Sequence, residues 1–342
     1  MVPVVQKQYQ QRLNEKLENV YQWLRNSPEQ KKRVDLGPAS QAAVHNHLEV
    51  LDTAVDKASA GTLGICTVCN GYIDPELLEM DYTAHVCLDH LSPDERRSLE
   101  MELELAQTVQ RSLLPSEVPD APLLETAAFS KPAQIIGGDY FDFFRFRDSS
   151  HGIAIGDVAG HGVSASLHMA SMQALLRTLI PSSQEPHEVV GHVNQLMIHN
   201  VRFTTFVALF LGSFDPSTYK FTYCNAGHTP PLLYRGGNGD GRISWLGPTG
   251  AAIGLVEGIP FTAETIQLAR GDAIVMCTDG VTEAMNHADE QFGLERLAYL
   301  VQTATYNSAR DLVREIRNAL QDFTQARVLA DDVTILVCRV VG

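Results

Sequence analysis

The sequence predicts an α+β protein in which short strands are interspersed with pairs of helices. From residue 123 onward, runs of apolar and β-branched residues follow one another at hairpin-like intervals. Four longer segments of the same region instead carry apolar residues at the three- and four-residue steps of a helix. Before residue 91, two helical patterns and a cysteine-rich segment predict a separate N-terminal module.

Composition and charge narrow the class of protein. A chain of 342 residues with 44% apolar residues predicts two or three domains with a packed core. No apolar run approaches the roughly 20 residues that cross a bilayer, and the N-terminus lacks a signal-peptide layout, so we expect a soluble cytoplasmic protein and no membrane partner. The formal net charge of -15 argues against binding of nucleic acid through a basic surface.

The N-terminal module begins with two amphipathic patterns, at residues 5–25 and 40–58. The sequence Asn26-Ser27-Pro28 ends the first pattern, and Gly37-Pro38 precedes the second. Two successive amphipathic helices predict an antiparallel helical hairpin.

A cysteine-rich segment follows the hairpin. Its spacing is Cys66-x2-Cys69, seventeen residues, then Cys87-x2-His90. Two such knuckles can close a tetrahedral Cys₃His zinc site, whose four ligands leave no position for water and therefore indicate a structural role. His85 is a rival fourth ligand without the knuckle spacing, and a chance arrangement of cysteines is the alternative. Cys224, Cys277 and Cys338 lie in strand-like runs and are expected to be buried free thiols.

A third helix is predicted from Ser92, a residue that favours the N-cap, to Pro115. Its apolar stripe at Leu99, Leu103, Ala106, Val109 and Leu113 is roughly heptad-like. The stripe either packs on its own domain or forms a homodimer.

The elements after this helix are as follows. Strands are predicted at 123–129, 140–146, 152–157, 205–214, 219–226, 232–234, 243–246, 262–268, 273–278 and 333–340, and helices at 163–179, 186–200, 294–301 and 309–323.

Acidic residues stand at the edges of several of these strands. They are Asp139, Asp157, Asp279, Asp331 and Asp332. Carboxylates gathered at one rim repel each other unless a cation neutralises them, so the pattern predicts a metal site. Oxygen ligands favour Mg²⁺ or Mn²⁺. Any single aspartate could instead be a turn or cap residue.

Five motifs resemble those of the PPM-type metal-dependent protein serine/threonine phosphatases, in the RsbU/SpoIIE-like branch. They start at Gly137 (GGDYFD), Gly156 (GDVAGHG), Asn225 (NAGHTPP), Thr278 (TDGVTEA) and Asp331 (DDVT), in the family's order across residues 105–341. The resemblance implies a β-sandwich flanked by helices at 117–342, a linker helix at 92–116 and a regulatory module at 1–91.

The resemblance also implies a two-ion mechanism, in which two cations activate a shared water for in-line attack on phosphorus. Asp157 would bridge both ions with the Val158 carbonyl available, Asp139 would support one ion, and Asp279 with Asp331 or Asp332 would hold the other. Of the last pair, Asp331 is slightly favoured as the ligand. Gly138 and Gly160 fit close approach of backbone to metal or phosphate. His161 is either a proton donor to the leaving oxygen or a structural histidine.

The N-terminal module resembles the DksA/TraR zinc-finger family, with His90 in place of the usual fourth cysteine. The leading hypothesis is a phosphatase acting on phosphoserine or phosphothreonine in a regulatory protein partner, such as an anti-sigma-factor antagonist, under control of this module. The alternative is a DksA/TraR-like transcription regulator with a degenerate phosphatase domain. The basic connector residues Lys31, Lys32 and Arg33 disfavour that alternative.

Overall fold

The computed structural model describes residues 25, 41–73, 77, 84–116, 121–160, 162–183, 185–198, 206–236, 241–325 and 331–341. These residues belong to two compact units, Met1–Met101 and Glu102–Gly342. The division falls inside the predicted linker helix, and the domain limits stay a prediction. The predicted helix at 5–25 lies outside the described residues except for Arg25, so the helical hairpin also stays a prediction.

The described part of the first unit contains helix α1, Gln41–Ser59, and a short 3-10 turn, Leu88–His90. Helix α2, Pro93–Leu113, begins in this unit. Its start is a capping box, because Ser92 Oγ accepts the Glu95 N–H while the Glu95 carboxylate accepts the Ser92 N–H at 2.9 Å. The predicted N-cap at Ser92 is confirmed.

The second unit alternates strands and helices. The strands are β1 Leu124–Lys131, β2 Tyr140–Arg145, β3 His151–Val158, β4 Val207–Asp215, β5 Lys220–Ala226, β6 Leu232–Arg235, β7 Arg242–Trp245, β8 Glu264–Gln267, β9 Ala273–Cys277 and β10 Val333–Val340. The helices that follow α2 are α3 Gly162–Leu179, α4 Pro186–Met197, α5 Asp279–Thr282, α6 Gly293–Thr303 and α7 Ala309–Thr324.

The strands form two antiparallel five-stranded sheets. Sheet 1 has the order β1-β10-β9-β6-β7, and sheet 2 has the order β2-β3-β4-β5-β8. The inner faces of the two sheets share one apolar core, in which Ile153 and Phe210 of sheet 2 meet Met276 and Leu336 of sheet 1. The sheets therefore form a sandwich.

Helices cover the outer face of each sheet. Met169 of α3 and Val190 of α4 join the cluster on sheet 2, and Leu312 and Ile316 of α7 join the cluster on sheet 1. Strands buried on both faces need apolar side chains in both directions, which explains why β3 and β10 read as continuous apolar runs. The predicted α+β sandwich flanked by helices is confirmed.

Cys224, Cys277 and Cys338 are buried free thiols in the apolar clusters of the sandwich, as predicted. Burial raises the pKa of Cys224 to about 11 and that of Cys277 to about 12. Among the residues that the structure describes, no helix combines the length and the apolar character that a bilayer crossing requires.

A buried carboxylate connects β2 to α3. Asp142 is only 1% exposed, and it accepts two hydrogen bonds of 2.9 Å from the Arg177 guanidinium and one of 2.9 Å from the Tyr140 hydroxyl. Burial raises the pKa of Asp142, and Arg177 acts against that rise. The ion pair thus holds the helix on the sheet through one buried charge.

We expect Arg177→Met to lower the free energy of unfolding by about 3 kcal/mol at pH 8, because it leaves the Asp142 carboxylate buried without its cation. The loss should shrink at acidic pH, since protonation removes that charge. Urea denaturation followed by circular dichroism measures it.

The matched control is Arg314→Met, which breaks an ion pair whose carboxylate, on Asp311, is 27% exposed. That change should cost less than about 1 kcal/mol. Equal losses in the two variants would contradict the role of burial.

Candidate active site and a second metal-binding cluster

Strand ends from both sheets meet at one end of the sandwich. In sheet 2, Tyr140 at the start of β2 lies opposite Gly156, near the end of β3. In sheet 1, Ile335 near the start of β10 lies opposite Cys277, the last residue of β9. Antiparallel pairing thus puts the predicted aspartates, which flank these ends, at two neighbouring rims. We call Asp139, Asp157, Asp279, Asp331 and Asp332 the acid cluster.

A hydrogen bond joins the two rims directly. Thr278, which follows β9 in sheet 1, donates its hydroxyl to Asp139 Oδ2 at 2.8 Å, and Asp139 precedes β2 in sheet 2. The same hydroxyl accepts the Thr334 N–H at 3.0 Å. Thr278 is fully buried, and its hydrogen bond orients the Asp139 carboxylate. The sequence alone did not indicate this role of Thr278, because it shows only that Thr278 precedes Asp279.

The acid cluster is electrostatically unfavourable without a cation. Burial, and then the charges of Asp279, Asp331 and Asp332, raise the pKa of Asp157 to about 7. Burial and Asp157 raise the pKa of Asp139 well above its usual value. Burial and Asp331 raise the pKa of Asp279. Divalent cations would relieve this repulsion, so an all-oxygen metal site fits the residues present.

Asp331 and Asp332 occupy different environments. Asp332 is buried, and its carboxylate accepts the N–H groups of Ala133 and Gly138 at 2.7 Å each, and of Asp139 at 3.4 Å. Asp331 is exposed, and its Oδ1 accepts the Asp332 N–H. Asp332 therefore holds the β1–β2 loop, residues 132–139, while Asp331 stands at the surface of the cluster.

Two glycines in the β1–β2 loop allow this close packing. A Cβ on Gly137 would overlap the Asp332 carboxylate, and one on Gly138 would lie 2.9 Å from the Val158 carbonyl oxygen. The loop backbone thus lies between Asp332 and the end of β3. This position brings the Val158 carbonyl beside Gly138. The approach of Gly138 to metal or phosphate stays a prediction.

The phosphate-binding candidates are only partly described. Gly160 is exposed and has a φ of 107°, a conformation that side chains disfavour, and Gly162 begins α3. His161 lies outside the described residues, and its role stays a prediction. His228 is buried, its Nδ1 lies 2.9 Å from the Thr229 carbonyl, and burial lowers its pKa to about 4. It is therefore neutral near pH 7.

A second cluster in the N-terminal unit brings together Cys66, Cys69, Cys87 and His90, whose ligand atoms all lie within 4.8 Å of one another. Cys69 Sγ lies 3.9 Å from Cys87 Sγ, and Cys87 Sγ lies 3.1 Å from His90 Nδ1. A tetrahedral zinc ion with Zn–S bonds of about 2.3 Å separates two sulfurs by about 3.8 Å. The side chains thus fit zinc, and His90, rather than His85, completes the cluster.

The environment of the Cys66 thiol favours its deprotonated form. Burial raises the pKa of Cys66, but hydrogen bonds from the backbones of Cys69 and Cys87 outweigh it and bring the pKa to about 6. A low pKa favours the thiolate, which is the form that binds metal.

Comparisons with known proteins agree with this architecture. The family described as stage II sporulation protein E (SpoIIE) matches residues 147–341, more than half of the chain. The phosphoserine phosphatase RsbU of Bacillus subtilis (strain 168) is 32% identical over 249 residues, which cover 71% of this chain and 71% of that protein. The phosphoserine phosphatase RsbP of the same organism is 24% identical over 235 residues, which cover 68% of this chain and 56% of that protein.

Two solved structures share the fold. The SiaA-PP2C domain of Pseudomonas aeruginosa superimposes with a TM-score of 0.62 at 22% identity, covering 71% of this chain and 98% of that one. The PP2C phosphatase domain with a fragment of the regulatory domain of SpoIIE from Bacillus subtilis gives a TM-score of 0.56 at 18% identity, covering 64% and 62%. Together with the sandwich and the acid cluster, these matches show that the chain belongs to the SpoIIE family of PPM-type phosphatases.

Proposed function

We propose that this phosphatase uses two Mn²⁺ or Mg²⁺ ions to hydrolyse phosphoserine or phosphothreonine in a regulatory protein partner. The observation that carries the proposal is the acid cluster, in which carboxylates from four separate parts of the chain raise one another's pKa. Carboxylates placed so close together do not stabilise the metal-free fold, but they provide oxygen ligands for hard cations.

The geometry supports different roles for the aspartates of the acid cluster. Asp157 would bridge both ions, with the Val158 carbonyl beside it. Three other members of the acid cluster raise the pKa of Asp157 by their negative charges. Asp139 would support one ion in the orientation that Thr278 favours, and Asp279 with Asp331 would hold the other. Asp332, although an alternative ligand by sequence, has its carboxylate engaged by loop N–H groups, so we assign it to holding the loop.

Bound there, two divalent ions would supply Lewis acidity and lower the pKa of a shared water. The residues of the chain then have positioning roles. The β1–β2 loop fixes Asp139, while Gly160 and Gly162 open α3, whose N-terminal N–H groups favour an anion. His161 would donate the proton to the leaving serine or threonine oxygen.

The partner is proposed from the relatives. RsbU and RsbP are named phosphoserine phosphatases, and resemblance to that branch implies an anti-sigma-factor antagonist as the substrate. The N-terminal module, with one structural zinc, would regulate turnover, and a homodimer through α2 stays a prediction. The intact acid cluster disfavours the alternative of a DksA/TraR-like regulator with a degenerate phosphatase domain.

We expect Asp157→Asn to remove nearly all hydrolysis of p-nitrophenyl phosphate in the presence of Mn²⁺, a loss of at least about 100-fold, because the bridging carboxylate is gone. Asp322→Asn, at an exposed position of α7, is the control and should retain full turnover. Equal activity of wild type and Asp157→Asn would exclude Asp157 from the mechanism.

The acid cluster also predicts a pH-dependent stability of the metal-free protein. The Asp157 pKa is about 7 in the folded chain, above its unfolded value of about 3.9. The folded state therefore binds the proton more tightly, and stability falls as pH rises from about 4 to 7. In chelator, Asp157→Asn should be more stable than wild type at pH 8, by on the order of 4 kcal/mol, and equal to it below pH 4.

Thermal unfolding of both proteins over this pH range measures the effect. Because both proteins contain the same cysteine cluster, chelation of its metal cancels in the comparison. A constant difference at every pH would show that Asp157 does not titrate in this way.

For the cysteine cluster, we expect wild-type protein to contain one zinc per chain and Cys66→Ser to contain none, because three ligands rarely hold structural zinc. Cys224→Ala, which removes a buried thiol of the sandwich, should keep its zinc. Elemental analysis decides, and unchanged zinc in Cys66→Ser would refute the assignment.

A further inference from the structure

Helix α2 contacts the β1–β2 loop through two glutamine side chains, both in the unit Glu102–Gly342. Gln110 Nε2 donates to the Gly137 carbonyl at 2.5 Å, and Gln110 Oε1 accepts the Gly137 N–H at 3.1 Å. Three residues earlier on the helix, Gln107 Nε2 donates to the Ile135 carbonyl at 2.9 Å. The Gln110 amide thus satisfies both backbone groups of one residue, as a neighbouring strand would.

Gly137 is held between this amide and the acid cluster. A Cβ at this position would overlap the Asp332 carboxylate, which accepts the N–H groups of the next two residues, Gly138 and Asp139. Gln110 therefore holds the loop from the helix, and Asp332 holds it from the strands. Since Gly137 and Gly138 have no side chains of their own, these outside contacts set the path of the backbone.

The position of the Gly137 backbone affects two candidate metal ligands, Asp139 and the Val158 carbonyl. Gly138 packs against the Val158 carbonyl, and Asp139 follows it with its carboxylate oriented by Thr278. A displaced Gly137 would move the Asp139 backbone away from the position in which Thr278 reaches its carboxylate. Partners that orient ligands in this way change metal affinity or activity by about 10- to 100-fold when they are removed.

We infer that Gln110 is a positioning residue of the phosphatase site: its amide fixes the Gly137 backbone so that Asp139 and the Val158 carbonyl are held in place for a divalent cation. The inference rests on the proposed function, since it takes the acid cluster as the metal site. It requires an amide at residue 110, because the amide offers a donor to the Gly137 carbonyl and an acceptor to the Gly137 N–H on separate atoms, whereas a carboxylate of the same size only accepts.

The test uses full-length protein with three variants. Gln110→Ala removes both hydrogen bonds, and Gln110→Glu keeps the size but replaces the donor by an acceptor that faces the Gly137 carbonyl. Gln302→Ala is the matched control, because the Gln302 amide donates to another glycine carbonyl, that of Gly241 between β6 and β7, at 3.0 Å.

Calorimetric titration of metal-stripped protein with Mn²⁺ is the main readout. Zinc is first restored to the cysteine cluster, so that Mn²⁺ reports on the acid cluster. We expect the dissociation constant to rise at least tenfold in both Gln110 variants and to be unchanged in Gln302→Ala. Amide hydrogen exchange of residues 135–139 should accelerate in the same two variants only.

Further readouts separate positioning from general stability. The unfolding midpoint of the metal-free Gln110 variants should shift by less than about 8 °C, since two hydrogen bonds of about 1 kcal/mol net each are lost. Turnover of p-nitrophenyl phosphate should need at least tenfold more Mn²⁺ for half-maximal rate, with a smaller change in KM.

The outcomes are distinguishable. If wild type binds Mn²⁺ and turns over substrate while both Gln110 variants match it, the inference fails and the proposed function stands. If Gln110→Glu equals wild type and only Gln110→Ala is weak, the amide is not required and the inference is also overturned. If wild type neither binds Mn²⁺ nor hydrolyses p-nitrophenyl phosphate, the proposed function fails, and the inference fails with it.

Discussion

Repulsion among carboxylates at one end of a β-sandwich is the constraint on which the rest of this structure depends. The cluster draws its members from both sheets, so neither sheet alone contains the site. Burial and mutual charge raise the pKa of Asp139, Asp157 and Asp279, and a folded chain retains such a group only when the remaining packing outweighs the cost. The continuous apolar core and the helices on both outer faces supply that packing.

The β1–β2 loop shows how the chain prepares this site without metal. Its backbone N–H groups are neutral donors that stabilise the Asp332 carboxylate, while its two glycines allow the approach. One of two adjacent aspartates is thereby committed to the protein's own backbone, and the other stays at the surface of the cluster. Asp331 and Asp332 look equivalent in the sequence, but their carboxylates have different contacts and therefore different proposed roles.

Much of this fold could be predicted from the sequence, because its strands are buried on both faces and are bounded by turns. The run predicted at 333–340 coincides with β10, and the other strands differ by one or two residues at their ends. The short helix α5 was not predicted, because its four residues hold less than two helical turns of pattern. Its start at Asp279 reflects the turn that follows β9 rather than helical propensity.

The proximity of the candidate site residues could be predicted from the sequence, whereas the hydrogen bonds that orient them could not. Their roles in metal binding and catalysis stay predictions. The recurrence of aspartate at strand ends was enough to gather the acid cluster, and knuckle spacing was enough to choose His90 over His85. By contrast, the contacts of Thr278 and Gln110 link residues about 140 and 27 positions apart in sequence. Glutamine in an amphipathic helix is typical of a solvated face, so nothing in the local pattern singled out Gln110.

The hydrogen bond from Thr278 to Asp139 has a consequence for how the two sheets are held together. It joins the two sheets, so it is made only when both rims are in their folded positions. Two of the five carboxylates lie in or beside strands of sheet 2, and the other three lie beside strands of sheet 1. A cation held by the acid cluster would contact carboxylates from both sheets, and its binding would therefore oppose their separation.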